Sequence, residues 1–222
     1  MNLGGISGVL YNFCVWFTRF AVLNILWFIF TVLGLVIAGF FPATVALLAT
    51  TRQFINKNDP PIFKTFWHYY KKEFITSNKL GLILILAGIL CYTHFAISSS
   101  LVDEIAKPFI YTSYILNSAL LLISCHTLAS FVEYDQSTKQ HIKNGLLIFI
   151  YSPFSNLVII FGILTVYFIS NMISGISFFF SAILIALAIL SSSHFSYKRL
   201  EKKKEKHLQK YTTSVKQMNT IE

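Results

Sequence analysis

The chain has 222 residues, of which 55% are hydrophobic and 12% are charged, and its formal net charge is +9. Because charged residues make up about a quarter of an ordinary soluble domain, this composition excludes a soluble globular domain and indicates a protein in contact with lipid. The length suits a single domain. The cysteine count of three is odd, and two of the cysteines lie inside apolar segments, which argues against a disulfide framework.

The chain begins with an amphipathic pattern over residues 2–18, in which apolar side chains recur at intervals of three and four. The apolar positions are Leu3, Ile6, Leu10, Phe13, Phe17 and Phe20. This spacing lines them along one helical face, so we predict a helix that lies in the membrane interface before the first span. Trp16 and Arg19 suit the headgroup level at the start of that span.

Five apolar segments are long enough to cross the roughly 30 Å hydrocarbon core as helices. They cover residues 20–38, 80–97, 109–132, 145–169 and 178–195. The expected architecture is therefore all-α, with one polytopic helical membrane domain over residues 1–195 and a polybasic tail over residues 196–222.

The motif GFFP at residues 39–42 predicts where the first span ends, because Pro42 cannot continue a helix but begins one well. Two interpretations remain open for residues 40–55, namely a half-buried or re-entrant helix and a sixth crossing. The sixth crossing would move the N-terminus to the cytoplasm and would leave every later loop on the same side.

Basic residues are concentrated in alternate connections. Sixteen of the 18 Lys and Arg residues lie in residues 52–79, 133–144 and 196–222. Because cytoplasmic loops carry the excess of Lys and Arg, we expect these three segments in the cytoplasm and the protein in a bacterial plasma membrane. Lys139 and Lys143 are expected to neutralise Glu133 and Asp135 at the inner rim.

The stretch FKTFWHYYKKEF at residues 63–74 combines aromatic and basic side chains at helical spacing. Asp59 is a suitable N-cap and Pro60 a suitable first helical residue, so we predict a cytoplasmic interfacial helix over about residues 60–75. Its rings would lie at the acyl boundary of the bilayer and its lysines on anionic headgroups, whereas the alternative is a docking surface for another protein. Nucleic acid is not an expected partner. The residues assigned to this surface are Phe63, Phe66, Trp67, Tyr70, Lys71, Lys72 and Phe74.

Polar residues interrupt the third and fourth spans. Because Pro153 has no N–H group, the backbone carbonyl of Phe149 lacks its usual helical donor, and neighbouring serine and asparagine side chains can donate to it instead. These polar residues form a candidate cleft for a hydroxyl-rich ligand, or alternatively a kinked helix whose hydroxyls are satisfied locally. The residues assigned to the cleft are Asn117, Ser152, Ser155 and Asn156.

The sequence contains no phosphate-binding glycine loop and no HExxH, paired CxxC or GxSxG motif, so we expect neither an enzyme nor a cofactor. His126 and His194 are expected near the same end of their spans, with Cys125 beside them. Two histidines and one cysteine without carboxylates are a weak donor set, so we predict no metal site and expect packing or interhelical hydrogen bonds instead. An intramembrane enzyme that uses the two histidines is a third, minor hypothesis.

Four sequence features together resemble the YesL-like family of bacterial membrane proteins. They are GFFPAT at 39–44, Arg52, FKTFWHYYKKEF at 63–74 and SNKLGLIL at 77–84. The resemblance implies a small polytopic protein of the plasma membrane, mainly of Gram-positive bacteria. Genes of the family often stand beside carbohydrate ABC transporters and polysaccharide-degrading enzymes, which implies an accessory role in sugar uptake. No catalytic residues come with the resemblance.

Two functional hypotheses follow. The first is an accessory or regulatory component of ABC-type carbohydrate uptake, which docks on a permease through its spans and on a cytoplasmic partner through residues 59–75. The alternative is a small stand-alone transporter or channel that uses the polar cleft of the third and fourth spans.

Overall fold

The computed structural model describes residues 6–100, 106–172, 175, 179–193 and 196. All regular secondary structure in this part of the chain is helical, which confirms the predicted all-α class. The eight helices are α1 (Ile6–Leu33), α2 (Ile37–Ile55), α3 (Ile62–Lys72), α4 (Phe74–Ser100), α5 (Ala106–Glu133), α6 (Thr138–Tyr151), α7 (Pro153–Met172) and α8 (Phe179–Ser193).

Four of these helices are long and apolar enough to cross a membrane, and they lie within α1, α4, α5 and α7. The helix α8 is a shorter apolar helix. Many large apolar side chains on the long helices are exposed, as expected for surfaces that face hydrocarbon rather than water. The chain is therefore a polytopic helical membrane protein. Most of the predicted tail, residues 197–222, lies outside the described residues, as does His194.

The first helix differs from the prediction of an interfacial helix followed by a separate span. The helix α1 continues from Ile6 to Leu33 as one element, because no proline or glycine interrupts the segment between the two predicted pieces. Arg19, which lies near the middle of α1, forms an ion pair with Asp59 at 2.7 Å from Nη2 to Oδ1. Its guanidinium also lies 5.5 Å from the ring centroid of Trp16 and 5.0 Å from that of Phe54.

The first apolar segment breaks earlier than the GFFP motif predicts. The chain turns at residues 34–36, where Leu35 and Val36 have positive φ angles of 57° and 63°, and Pro42 lies inside α2. Pro42 is accommodated because the carbonyl that it leaves without a helical donor, that of Ala38, accepts a hydrogen bond from Asn78 Nδ2 of α4 at 2.9 Å.

The third helix also begins later than predicted. Asp59 is not its N-cap; α3 begins at Ile62, and Asp59 instead pairs with Arg19. Two consecutive prolines explain the shift, because Pro61 disfavours the helical conformation at Pro60. The helix ends at Lys72, so Phe74, which the prediction placed on this helix, begins α4.

The centre of the fold is α2, in which 12 of 19 residues are buried. It pairs with α1, with Trp27 Nε1 donating to Thr44 Oγ1 at 3.1 Å. At the beginning of α2, the Ala38 carbonyl accepts a hydrogen bond from Asn78, near the beginning of α4. Near the end of α2, Arg52 donates to the Val132 carbonyl at the end of α5. Because those two places lie at the same end of the α4–α5 pair, α2 crosses that end. It is not among the four helices long and apolar enough to span.

The helices α4, α5 and α6 pack as successive antiparallel neighbours. His94 Nδ1 of α4 lies 2.7 Å from Ser113 Oγ of α5, and Ser130 of α5 contacts His141 of α6. The predicted fourth span, residues 145–169, consists of the end of α6 and most of α7, with Ser152 between them.

Two hydrogen bonds accepted by one side chain join α1 to α8. The side-chain oxygen of Asn24 in α1 accepts hydrogen bonds from the backbone amides of Ala182 and Ile183 at 2.9 and 3.1 Å. Ala182 and Ile183 are the fourth and fifth residues of α8, so these bonds reach the N-terminal part of the helix. Asn24 therefore fixes the beginning of α8 against α1.

Candidate functional site

Two of the seven residues assigned to the α3 surface are core residues. Phe66 is fully buried and Tyr70 nearly so. Both rings pack on Phe30 of α1, with centroid distances of 5.4 and 4.9 Å, and the Tyr70 hydroxyl donates to the Phe30 carbonyl at 3.2 Å. Burial raises the pKa of Tyr70. These two side chains attach α3 to the protein and do not face lipid or a partner.

The outward side of α3 carries both aromatic and basic groups. Phe63 is 58% exposed and Trp67 38%, and the Lys71 ammonium lies 4.9 Å from the Trp67 ring centroid. Lys72 is also exposed, and Phe74 is half-buried. We use "α3 surface" below for the exposed residues Phe63, Lys64, Trp67, His68 and Lys71.

The residues assigned to the polar cleft do not form one site. Ser152 and Ser155 are buried, and Ser155 Oγ donates to the Ser192 carbonyl of α8 at 3.2 Å and contacts Ser196 Oγ. Asn117 is exposed and donates to the Ser113 and Cys91 carbonyls at 2.8 and 3.4 Å.

As the sequence predicts, Asn156 donates a hydrogen bond to the backbone carbonyl that Pro153 leaves without a helical donor. Its Nδ2 donates to the Phe149 carbonyl at 2.9 Å. Its Oδ1 lies 2.8 Å from Nε2 of His126, so that ring nitrogen is the donor. Because Asn117 precedes His126 by nine residues on α5, the two lie about 13 Å apart along the helix. A transport role for these residues stays a prediction.

His126 is fully buried, and its Nδ1 has no hydrogen-bond partner within the described residues. Its predicted neighbour His194 lies outside them. In the same part of the chain, no group of three or more His, Cys, Asp or Glu side chains is placed to hold a metal ion.

The structure reveals a cavity that the sequence did not indicate, which we call the junction cleft. Its volume is about 440 Å³, and it lies where the ends of α3 and α5 and the beginnings of α4 and α6 meet the middle of α2. The residues that line it are Val45, Ala49, Tyr69, Lys72, Glu73, Thr76, Phe131, Val132, Glu133, Tyr134, Asp135, Gln136 and His141.

An ion pair closes one wall of the junction cleft. Arg52 Nε of α2 lies 2.8 Å from Glu133 Oε2 of α5, and Arg52 Nη1 donates to the Val132 carbonyl at 3.0 Å. A cation at the end of α5 is also favourable for the dipole of that helix. Glu133 is therefore paired with Arg52, which lies 81 positions away in the sequence. The prediction that Lys139 and Lys143 neutralise Glu133 is wrong.

His141 forms the floor of the cleft. It is buried, its Nδ1 lies 3.3 Å from Ser130 Oγ, and its ring centroid lies 5.0 Å from that of Phe131. Burial lowers the pKa of His141, and the opposing influences are backbone hydrogen bonds and the carboxylates of Asp135 and Glu73.

The loop after α5 is anchored from α6. Asn144 Nδ2 donates to Ser130 Oγ at 3.1 Å and to Gln136 Oε1 at 3.0 Å. The polar side chains of this loop are therefore held over the cleft. The one local signal in the sequence was Arg52, an isolated cation after an apolar run, but its acceptor lies far along the chain.

Comparison with known proteins identifies relatives for almost the whole chain. Residues 20–95, from α1 to most of α4, match the family described as "Protein of unknown function, DUF624". Three proteins of Bacillus subtilis (strain 168) are similar: "Uncharacterized protein YteU" (32% identical, covering 84% of each chain), "Uncharacterized protein YesL" (27%, covering 93% of this chain and 98% of YesL) and "Uncharacterized protein YesV" (29%, covering 92% and 97%). No solved structure matches. The chain therefore belongs to the YesL-like (DUF624) family of helical membrane proteins.

Proposed function

We propose that this protein is a non-catalytic accessory component of carbohydrate uptake in a bacterial plasma membrane, and that it docks on an ABC-type transporter through the α3 surface. The observation that carries the proposal is the division of α3 into two sides. Phe66 and Tyr70 are buried against Phe30 of α1. Phe63 and Trp67 also contact the Phe30 ring, at 6.4 and 5.3 Å between centroids, but both keep an exposed face beside Lys71. Trp is among the residues enriched in protein-binding hot spots, so an exposed Trp67 on a helix held against α1 supports a docking role.

The charge distribution supports a cytoplasmic position for the α3 surface. Residues 52–79, 133–144 and 196–222 hold 16 of the 18 Lys and Arg residues, and cytoplasmic segments are those enriched in these residues. At this depth the rings also suit the acyl boundary and the lysines suit anionic headgroups. The partner that fits is the cytoplasmic side of a permease, with an acidic rim around an apolar pocket. Carbohydrate is proposed from the family resemblance, in which neighbouring genes encode sugar transporters.

A growth and uptake experiment tests the proposal. Deletion of the gene should reduce growth and uptake of labelled sugar on one or a few carbohydrates, with normal growth on glycerol. The double variant Phe63→Ala with Trp67→Ala should insert into the membrane at wild-type levels and fail to restore uptake. Tyr92→Ala, which removes an exposed ring from α4, should restore it.

Crosslinking separates docking from simple attachment to lipid. A photo-crosslinker at position 64 should capture the permease of the affected sugar in wild-type cells and lose that product in the double variant. Normal growth of the deletion strain on every carbohydrate would refute the uptake role. A growth defect without any crosslink to the permease would refute docking and leave α3 as a lipid-facing helix.

A further inference from the structure

We propose that the junction cleft binds a small, uncharged, polyhydroxylated molecule, with the size and chemistry of a monosaccharide or disaccharide. The lining of the cleft carries this inference, which does not depend on docking by the α3 surface. The volume of about 440 Å³ lies within the range of small-molecule sites, and five helices and one loop contribute to the walls.

The charges of the cleft are largely compensated. Glu133 is paired with Arg52 at 2.8 Å, and Glu73 lies 3.4 Å from Lys72. Asp135 is the further carboxylate in the lining. An anionic ligand would meet three carboxylates. A divalent cation would have to compete with Arg52 and Lys72 for two of them, and hard cations need several oxygen ligands at once. A neutral ligand avoids both costs.

The polar groups of the lining suit hydroxyls. The phenols of Tyr69 and Tyr134, the hydroxyl of Thr76 and the amide of Gln136 can each donate and accept, as a sugar hydroxyl does, and Asp135 accepts. Tyr69 already accepts from Gln53 Nε2 at 3.1 Å and Gln136 from Asn144 Nδ2 at 3.0 Å, so these two groups are held in place while the Tyr69 hydroxyl hydrogen and the Gln136 amide NH₂ can still donate to a ligand.

The remaining walls are apolar or aromatic. Val45, Ala49 and Phe131 contribute such surface next to the two tyrosines. A pyranose ring presents C–H groups on its faces and hydroxyls around its edge, so it matches both kinds of wall at once. Tyr69 and Lys72 belong to α3, so an occupant of the cleft would contact the same helix that carries the α3 surface.

Binding to the purified full chain in lipid nanodiscs tests the inference. Sugar-headed detergents must be excluded, because their headgroups would compete for the cleft. The probes are glucose, xylose, maltose and sucrose, with inorganic phosphate and spermidine as charged controls. At least one sugar should raise the thermal midpoint by about 2 °C or more at saturation, and neither charged probe should do so.

Loop variants locate the site. Asp135→Asn changes an exposed loop side chain and should leave the midpoint of the unliganded protein within about 2 °C of wild type. Gln136→Leu also loses the bond from Asn144 and should lower that midpoint by about 2–4 °C, so its sugar affinity is measured below that midpoint. Each should weaken binding of the active sugar about tenfold or more, the effect of losing one good hydrogen bond. Asn171→Leu, which changes an exposed residue of α7 that bonds only the Tyr167 carbonyl of its own helix among the described contacts, is the matched control and should bind like wild type.

Three results would overturn the inference. The first is the absence of a midpoint shift with all four sugars, and the second is a shift with spermidine or phosphate in place of the sugars. The third is equal sugar affinity in wild type, Gln136→Leu and Asp135→Asn. These results leave the growth and crosslinking predictions for the α3 surface untouched, so the two proposals can fail separately.

Discussion

Asn78 of α4 donates a hydrogen bond to the carbonyl of Ala38 in α2, at 2.9 Å from Nδ2 to O. This carbonyl is the one that would accept from residue 42 in an uninterrupted helix, and residue 42 is a proline. The same arrangement occurs at Pro153, where Asn156 Nδ2 donates to the Phe149 carbonyl. In both places an asparagine amide replaces a missing backbone donor, which allows a proline within or beside an apolar helix.

The first prediction concerns the pair formed by Asn78 and Pro42. Asn78→Leu should destabilise the protein by about 1–2 kcal/mol, because the Ala38 carbonyl loses its donor on the outer surface of an apolar helix, where no water replaces it if that surface faces lipid. In a Pro42→Ala background the backbone amide at position 42 can donate instead, so the same substitution should cost about 1 kcal/mol less. Thermal unfolding of the four proteins in nanodiscs measures this coupling. Strict additivity would contradict the proposed role of Asn78.

The second prediction separates the two contacts of Arg52. Arg52→Gln loses both the ion pair with Glu133 and the bond to the Val132 carbonyl, and should cost about 1–2 kcal/mol. Glu133→Gln keeps the carbonyl bond and should cost about half as much. Because both side chains are about 30% exposed, the contribution of the ion pair should fall at 1 M salt, whereas the carbonyl bond should persist. Equal losses in the two variants, unaffected by salt, would contradict this division.

The third prediction uses two glycines in different surroundings. A methyl group on Gly34 would overlap the backbone of Gly39, whose nitrogen would lie 2.6 Å away, so Gly34→Ala should cost about 2 kcal/mol or more. Nothing lies within 4 Å of a methyl group on Gly88, in the middle of α4. Gly88→Ala should therefore stabilise the helix by about 0.5–1 kcal/mol. Unfolding midpoints that move in the same direction for both variants would contradict the close approach at the α1–α2 turn.

Features that depend on residues close together in the sequence could be predicted from it. The helical class and the bond from Asn156 to the Phe149 carbonyl follow from composition and from the position of Pro153. The end of α1 could not be predicted, because the turn at residues 34–36 contains two non-glycine residues with positive φ and no proline. Sterics disfavour that conformation, and only the packing of α1 against α2 and α3 accounts for it.

Features that depend on distant residues were missed for one physical reason. The sequence spacing shows which residues share a helical face, but it does not show which helices meet. Lys139 and Lys143 were the nearest cations to Glu133 along the chain, yet Arg52 is its partner because α2 crosses the end of α5. The junction cleft was missed in the same way, since its lining comes from five helices and a loop.

The fourth prediction concerns the pH dependence of stability. Burial lowers the pKa of His141 below its ordinary value of about 6.5, against the opposing influence of Asp135 and Glu73. Above pH 6.5 the imidazole is neutral in both the folded and the unfolded chain, so it adds no pH dependence. As the pH falls through 6.5, the unfolded chain binds a proton and the folded chain does not, so the free energy of unfolding decreases until the lower, folded-state pKa is reached.

His141→Gln removes this group, and it should flatten the decrease in stability between about pH 6.5 and pH 5.5 by up to about 1.4 kcal/mol per pH unit. Gln140→Ala, which changes a non-titratable residue next to His141 on α6, is the matched control and should keep the wild-type slope. Thermal midpoints of the three proteins at intervals of half a pH unit measure the difference. A wild-type slope in His141→Gln would show that this histidine titrates alike in the two states, and would contradict its burial beneath the junction cleft.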